Sequence, residues 1–128
     1  MDSLSPNLFV KDIRSTIEFY KGLGFNLVMS VPAENDDNLV WAMVTSGNVS
    51  FMFQTFQSIG DTLPMISRQD GGSLLFYIRI KSIRTFFESI KDKVNVVHGL
   101  QKTFYGATEF SITDRNNYLL TFAEDEAE

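Results

Sequence analysis

The sequence predicts an α+β fold built from two copies of a βαβββ module, each a curled mixed sheet carrying one helix, arranged around a cleft. Three observations predict it. First, the chain repeats itself: Ile13-Arg14-Ser15-Thr16-Ile17-Glu18-Phe19-Tyr20-Lys21 aligns with Ile83-Arg84-Thr85-Phe86-Phe87-Glu88-Ser89-Ile90-Lys91 at an offset of 70, with four of nine positions identical. Second, an offset of 69 places Phe25-Asn26-Leu27-Val28 over Val94-Asn95-Val96-Val97 and Phe51-Met52-Phe53 over Leu120-Thr121-Phe122. A period near 70 residues is too long for a solenoid unit. Third, in both copies apolar spacing passes from strand alternation to helical periodicity and back. At 128 residues the chain has the length of one compact domain, with enough surface to bury a core without disulfides or metals.

The elements follow in order. Ser5 to Lys11 reads as a strand with Leu8 and Val10 on one face. Asp12 is placed to cap a helix, since its carboxylate can accept the free amides of the first turn. Ile13, Ile17 and Tyr20 form that helix's apolar stripe, and Gly22 and Gly24 end it. Asn26 to Val31 is the next strand, Pro32 to Asp37 a polar loop, and Asn38 to Thr45 with Val49 to Thr55 a hairpin. Gln57 to Gly72 is polar and rich in Gly and Pro, and reads as a linker between a first module (1–56) and a second (73–124). In the second module Leu74, Phe76, Ile78 and Ile80 share a strand face, Ser82 caps a helix with Ile83, Phe86, Phe87 and Ile90 inward, and Asn95 to His98 is a strand. A hairpin from Thr103 to Phe122 turns at Asp114-Arg115-Asn116-Asn117, residue types that suit turns. The acidic end, residues 125–128, is expected to fray.

A strand, a crossover helix and three strands can bury the helix stripe against only one sheet face. The opposite faces of the two sheets are left to wall a trough. Alternation then assigns Ser5, Asn7 and Phe9, then Ser50, Met52 and Gln54, then Leu75, Tyr77 and Arg79, then Leu119 and Thr121 to the trough. A two-residue loop at Ser46-Gly47 sets Trp41 opposite Met52, and a four-residue turn in the second hairpin sets Phe110 opposite Thr121. A one-residue slip would reverse every side chain of a strand.

Composition excludes several functions. There is no cysteine, so neither disulfides nor thiolate chemistry is available. The net charge of −5 and pI near 4.8 lack the basic footprint of nucleic-acid binding. No stretch has the length of a membrane span and the start MDSLSPNLF has no signal-peptide pattern, so a cytoplasmic location is expected, with no nucleic-acid or membrane partner. With twelve Phe, four Tyr and one Trp, Phe stands far above an average share, which leaves two uses open, core filling or a cleft that stacks flat ligands.

Asp12 through Ser15, Phe19-Tyr20 and Leu23-Gly24-Phe25, with the late run Tyr105-Gly106-Ala107-Thr108-Glu109-Phe110-Ser111-Ile112-Thr113-Asp114, resemble the vicinal oxygen chelate superfamily of glyoxalases, bleomycin-resistance proteins and extradiol dioxygenases. The resemblance spans nearly the whole chain and is nearest to the bleomycin-resistance type. It implies four metal ligands, one per trough strand, which fall here on Ser5, Met52, Leu75 and Thr121. A divalent ion in such a site wants imidazole or carboxylate, so these positions are read as non-functional for metal and no cofactor is expected. The metal-dependent reactions of the family rest on that ion and are discounted. The resemblance also implies a homodimer.

The expected function is a metal-free protein that binds a small molecule, sequestering a flat, aromatic or cationic, antibiotic-like compound. The candidate ligand-binding residues are Trp41, Met52, Tyr105, Phe110, Phe9, Tyr77 and Glu109. No catalytic residue is assigned. Two alternatives stay open. One is a metal-independent lyase or isomerase-like enzyme, for which Tyr77, Glu109 and Arg79 are the acid–base candidates. The other is an interaction module with no small ligand. His98, the only histidine, reads as a structural residue near a turn rather than a proton carrier, and Asp114 as a turn former.

Overall fold

The computed structural model describes residues 1–32 and 37–126. The chain divides into two compact units, Met1–Asp70 and Gly71–Glu128. The middle of the predicted polar loop and the last two residues of the acidic tail lie outside the described residues.

In the first unit β1 (Asn7–Val10) leads into α1 (Ile13–Gly22), followed by β2 (Asn26–Val31), β3 (Trp41–Ser46) and β4 (Val49–Thr55). The sheet order is β1-β4-β3-β2, with β1 parallel to β4 and the other pairs antiparallel. Asp12 caps α1 as expected: its Oδ2 accepts the Ser15 amide at 3.0 Å. The helix stripe lands on the sheet, where buried Tyr20 packs edge-on to Phe25 and against Phe51 and Phe53, at ring separations of 5.4, 5.6 and 4.9 Å. Gly24, at φ +102°, takes the left-handed turn out of the helix that a side chain would resist. The predicted linker does not start as loop. Thr55 caps a short helix, α2 (Phe56–Ile59), through the Ser58 amide, because the apolar Ile59 has core surface to bury.

The second unit repeats the plan with β5 (Leu75–Arg79), α3 (Ile83–Ile90), β6 (Asn95–Lys102), β7 (Ala107–Thr113) and β8 (Leu119–Asp125), in the order β5-β8-β7-β6. Phe86 and Phe87 of α3 close on Phe110 and Phe122 of the sheet, with ring centroids 4.9 to 6.0 Å apart. Four expectations are corrected here. β6 runs on to Lys102 instead of ending at His98, carrying irregularities between Val96 and His98 and between His98 and Gln101. Leu74 precedes β5 and is exposed, so it does not share the helix face. Ser82 occupies the cap position of α3 at φ +57° but makes no side-chain cap. Glu124 of β8 does so instead, its two carboxylate oxygens accepting the Ser82 and Ile83 amides at 2.9 and 3.0 Å. The acidic end is tied down through Glu126: Asp125 pairs with Arg79 at 2.8 Å, and Glu126 pairs with Arg84 at 2.9 Å and accepts from Thr108.

Both hairpins differ in register from the sequence expectation, with opposite consequences. In the first, Ser46 pairs with Val49, so the two-residue loop is Gly47-Asn48. Trp41 then lies opposite Gln54 and Met52 opposite Met43. A shift of two keeps parity, so Trp41 and Met52 stay on the face away from the helix. In the second, Thr113 pairs with Leu119, while the Asp114 amide bonds the Tyr118 carbonyl and Asn117 sits at φ +65°. That left-handed residue makes the turn one residue longer than predicted. Ser111, not Phe110, lies opposite Thr121. The shift of one turns Phe110 to the helix face, where it is 1% exposed.

Candidate functional site

On the second sheet, the face away from α3 is built from alternate residues of three strands. β5 contributes Leu75, Tyr77 and Arg79, β8 contributes Leu119, Thr121 and Ala123, and β7 contributes Glu109 and Ser111. Tyr77 and Glu109 lie diagonally across β8. Ala123, opposite Glu109, is the smallest side chain of that face of β8, and it leaves the two long side chains room to meet. The Tyr77 hydroxyl donates to Glu109 Oε2 at 2.5 Å, and the Tyr105 hydroxyl donates to the same oxygen at 2.6 Å. Tyr105 reaches it from the β6–β7 turn, where Gly106 at φ +86° reverses the chain and returns Glu109 beneath the phenol.

Glu109 is 9% exposed, while Tyr77 and Tyr105 are roughly half exposed. Beside Tyr105 stands Phe104, edge-on at 5.0 Å and fully exposed. A carboxylate with few contacts to water is thus ringed by accessible aromatic surface. The electrostatics are consistent. The hydrogen bond to Glu109, then burial and the carboxylate's charge, push the Tyr77 phenol up to about 12, and the same hydrogen bond raises Tyr105. Both phenols therefore remain donors across the physiological range. Arg79 lies over the Tyr77 ring at 5.8 Å, but its guanidinium bonds Asp125 rather than Glu109.

Of the residues singled out from the sequence, Tyr77, Glu109 and Tyr105 are brought together. Trp41, Met52 and Phe9 lie on the corresponding face of the first sheet, where Phe9 stacks with Phe56 at 6.3 Å and Asn7 donates to Gln54 at 3.0 Å. Phe110 is withdrawn from the site by its register. Its place in the repeat goes to Glu109: within its own sheet Glu109 pairs with Ala123 as Trp41 pairs with Gln54 in the other, and the offset of 69 relates Gln54 to Ala123. Sequence reasoning also passed over Met43, directly opposite Met52, for want of the hairpin register. His98 is exposed, opposite Ser111 on β6. Asp114 has the turn role expected of it, its Oδ1 accepting the Asn116 and Tyr118 amides at 2.8 and 2.9 Å.

An open depression of about 700 Å³ adjoins this face, sharing Arg79 and Ala123 with it and lined also by Lys81, Ser82, Glu124 and Asp125. Its most attractive feature for an anion would be the start of α3, and Glu124 already occupies those amides.

The residues at the four metal positions do not fit a divalent ion. Leu75 has no donor atom and Met52 offers only a thioether. The Ser5 hydroxyl is engaged with Ser50 at 2.9 Å and that of Thr121 with Ser111 at 2.8 Å. Among the described residues no three His, Cys, Asp or Glu side chains are grouped to hold a metal.

The family model for the glyoxalase/bleomycin resistance protein/dioxygenase superfamily matches residues 3–122. The chain belongs to that superfamily. Solved members share the architecture at low identity. A bleomycin-binding protein complexed with bleomycin is 21% identical, with 98% of this chain and 100% of that one covered at a TM-score of 0.66. A bleomycin resistance determinant encoded on the transposon Tn5 is 21% identical, covering 99% and 100% of the two chains at a TM-score of 0.68. A glyoxalase/bleomycin resistance protein/dioxygenase family enzyme from Burkholderia phytofirmans PsJN is 15% identical over 95% and 97%, at a TM-score of 0.77. At these identities the likeness establishes the fold. Among curated proteins none matches this superfamily member. Among its described residues no helix is long and apolar enough to cross a membrane.

Proposed function

We propose that this superfamily member is a metal-free small-molecule binding protein that sequesters a flat, antibiotic-like compound. One observation carries the reading. The positions at which the superfamily resemblance places metal ligands hold Ser5, just before β1, and Met52, Leu75 and Thr121 on the sheet faces, beside the aromatic residues Phe9, Trp41 and Tyr77. Two of those four residues spend their hydroxyls on neighbours within the sheet. What remains on these faces is stacking surface, thioether and hydrogen-bonding groups, which suit binding better than Lewis-acid catalysis. The relatives that bind or resist bleomycin supply the probe. Intrinsic fluorescence of Trp41 and isothermal calorimetry with metal-free bleomycin are expected to show saturable binding that a chelator leaves unchanged. No heat and no fluorescence change at high micromolar drug would overturn the antibiotic version of the reading.

A second reading, a metal-independent enzyme, is favoured by the contact of Tyr77 and Tyr105 with Glu109, the titratable cluster such an enzyme needs. Against it, both phenols are tuned away from proton transfer near neutral pH. Homodimerisation and a cytoplasmic location belong to the same proposal; light scattering on the eluting protein tests the first.

A further inference from the structure

Glu109 is held in an incomplete way. A carboxylate oxygen carries two lone-pair sites, and Oε1 of Glu109 is not sealed among the buried unpartnered atoms, so it stays open to solvent and to a ligand. Oε2 is saturated by two phenols, at 2.5 and 2.6 Å, and among the described residues no donor reaches Oε1. Among the described residues no cation forms an ion pair with the group, and Arg79 acts on it only through its charge at a distance. The Arg79 guanidinium has turned to Asp125, and among the described residues the ion pairs Lys11–Asp70, Lys21–Glu18, Arg84–Glu126 and Lys91–Glu88 also leave Glu109 aside. The two phenols cannot supply the missing charge. They fix the carboxylate's position and hold Oε2, so Oε1 is the oxygen left to accept from a ligand.

The surroundings of that oxygen are aromatic and accessible. Tyr77, Tyr105 and Phe104 are all exposed. Ring faces attract cations, and the structure already holds one guanidinium, that of Arg79, 5.8 Å from the centre of Tyr77. A planar cation can therefore stack on phenol surface while donating an N–H to the unoccupied oxygen. An anion would meet the carboxylate's repulsion, and a neutral planar molecule would gain the stacking alone.

From this geometry we infer that Glu109, oriented by Tyr77 and Tyr105, is the recognition point for an amidinium, guanidinium or protonated amine carried on a flat aromatic body, with Phe104 closing over the ligand's edge. The inference rests on the binding function proposed above and assigns the charge and donor chemistry of its ligand. Glu109 Oε1 selects the cation, the rings supply sequence-blind stacking, and Tyr77 and Tyr105 act as positioning residues.

The test separates shape from charge. Benzamidinium, benzamide and benzoate share one flat outline and differ in charge. Titration of each into uniformly labelled full-length protein, followed by amide NMR shifts, reads both affinity and place. Benzamidinium is expected to bind at millimolar concentration or tighter, with shifts concentrated at residues 75–79 and 104–111, about tenfold tighter than benzamide, and benzoate more weakly still. In Glu109→Gln, which keeps the shape and an acceptor for the phenols, that cation preference is expected to vanish while residual stacking remains. Equal affinity of benzamidinium and benzamide in the wild-type protein would overturn the charge assignment and leave the binding reading standing. Absence of any shift from all three would overturn both. Phe104→Ala, a change at a fully exposed side chain, is expected to weaken all three ligands; unchanged affinity for all of them would remove Phe104 from the site.

Discussion

At the residue scale, the candidate site turns on a hydrogen bond that no local sequence pattern announces. Tyr105 and Glu109 are four apart and could be paired by inspection, but Tyr77 and Glu109 are separated by 32 residues and meet only because β8 lies between β5 and β7. Their coupling has a measurable signature. Phenolate absorbance of Tyr77 is expected to appear near pH 12, against about 10 for a free phenol, and to fall back toward 10 in Glu109→Gln. The linkage has a definite sign. The folded protein holds the Tyr77 proton more tightly than the unfolded chain, so between pH 10 and 12 the native state binds more protons and stability falls as pH rises; below pH 10 this group contributes no pH dependence. A Tyr77 that titrates normally would show that the contact with Glu109 does not persist in solution.

Elements were legible to the extent that their signals are local. Asp12 announces the start of α1 because the cap lies three residues from the amide it accepts. The start of α3 has no such signal: Ser82 is the right residue type in the right place, yet its left-handed backbone leaves the side chain unable to cap, and Glu124, 41 residues beyond Ile83, fills the role. Two charge-assisted hydrogen bonds at the positive end of a helix dipole are worth more than one neutral cap. Glu124→Ala is expected to cost ~1–2 kcal/mol in urea unfolding, and Ser82→Ala much less. If the two substitutions cost the same, the capping role belongs to the serine after all. The second hairpin teaches the same lesson about registers. A left-handed Asn117 adds one residue to the turn, and that residue exchanges Phe110 for Glu109 on the face away from α3.

For the whole molecule, the duplicated plan gives each unit its own aromatic core, around Tyr20 in one and around Phe110 in the other. Phe110 is therefore a stability residue. Phe110→Ala is expected to cost about 3–5 kcal/mol, the usual penalty for emptying a packed aromatic site. Hydrogen exchange should quicken most in β5 to β8. An unchanged melting curve combined with weakened ligand binding would return Phe110 to the site.

The fold class, the duplication and the helix stripes were legible along the chain, because each follows from periodicity, from residue type or from sequence offsets; the misfit of Ser5, Met52, Leu75 and Thr121 to a metal follows from the positions the superfamily resemblance implies, together with their residue types. The tertiary structure was needed to show which side of β7 faces the helix, what caps α3, and that two tyrosines meet on one oxygen of Glu109. The physical reason is common to all three. They depend on which strands become neighbours and in what register, and a single left-handed residue in a turn is enough to exchange an aromatic core residue for a carboxylate.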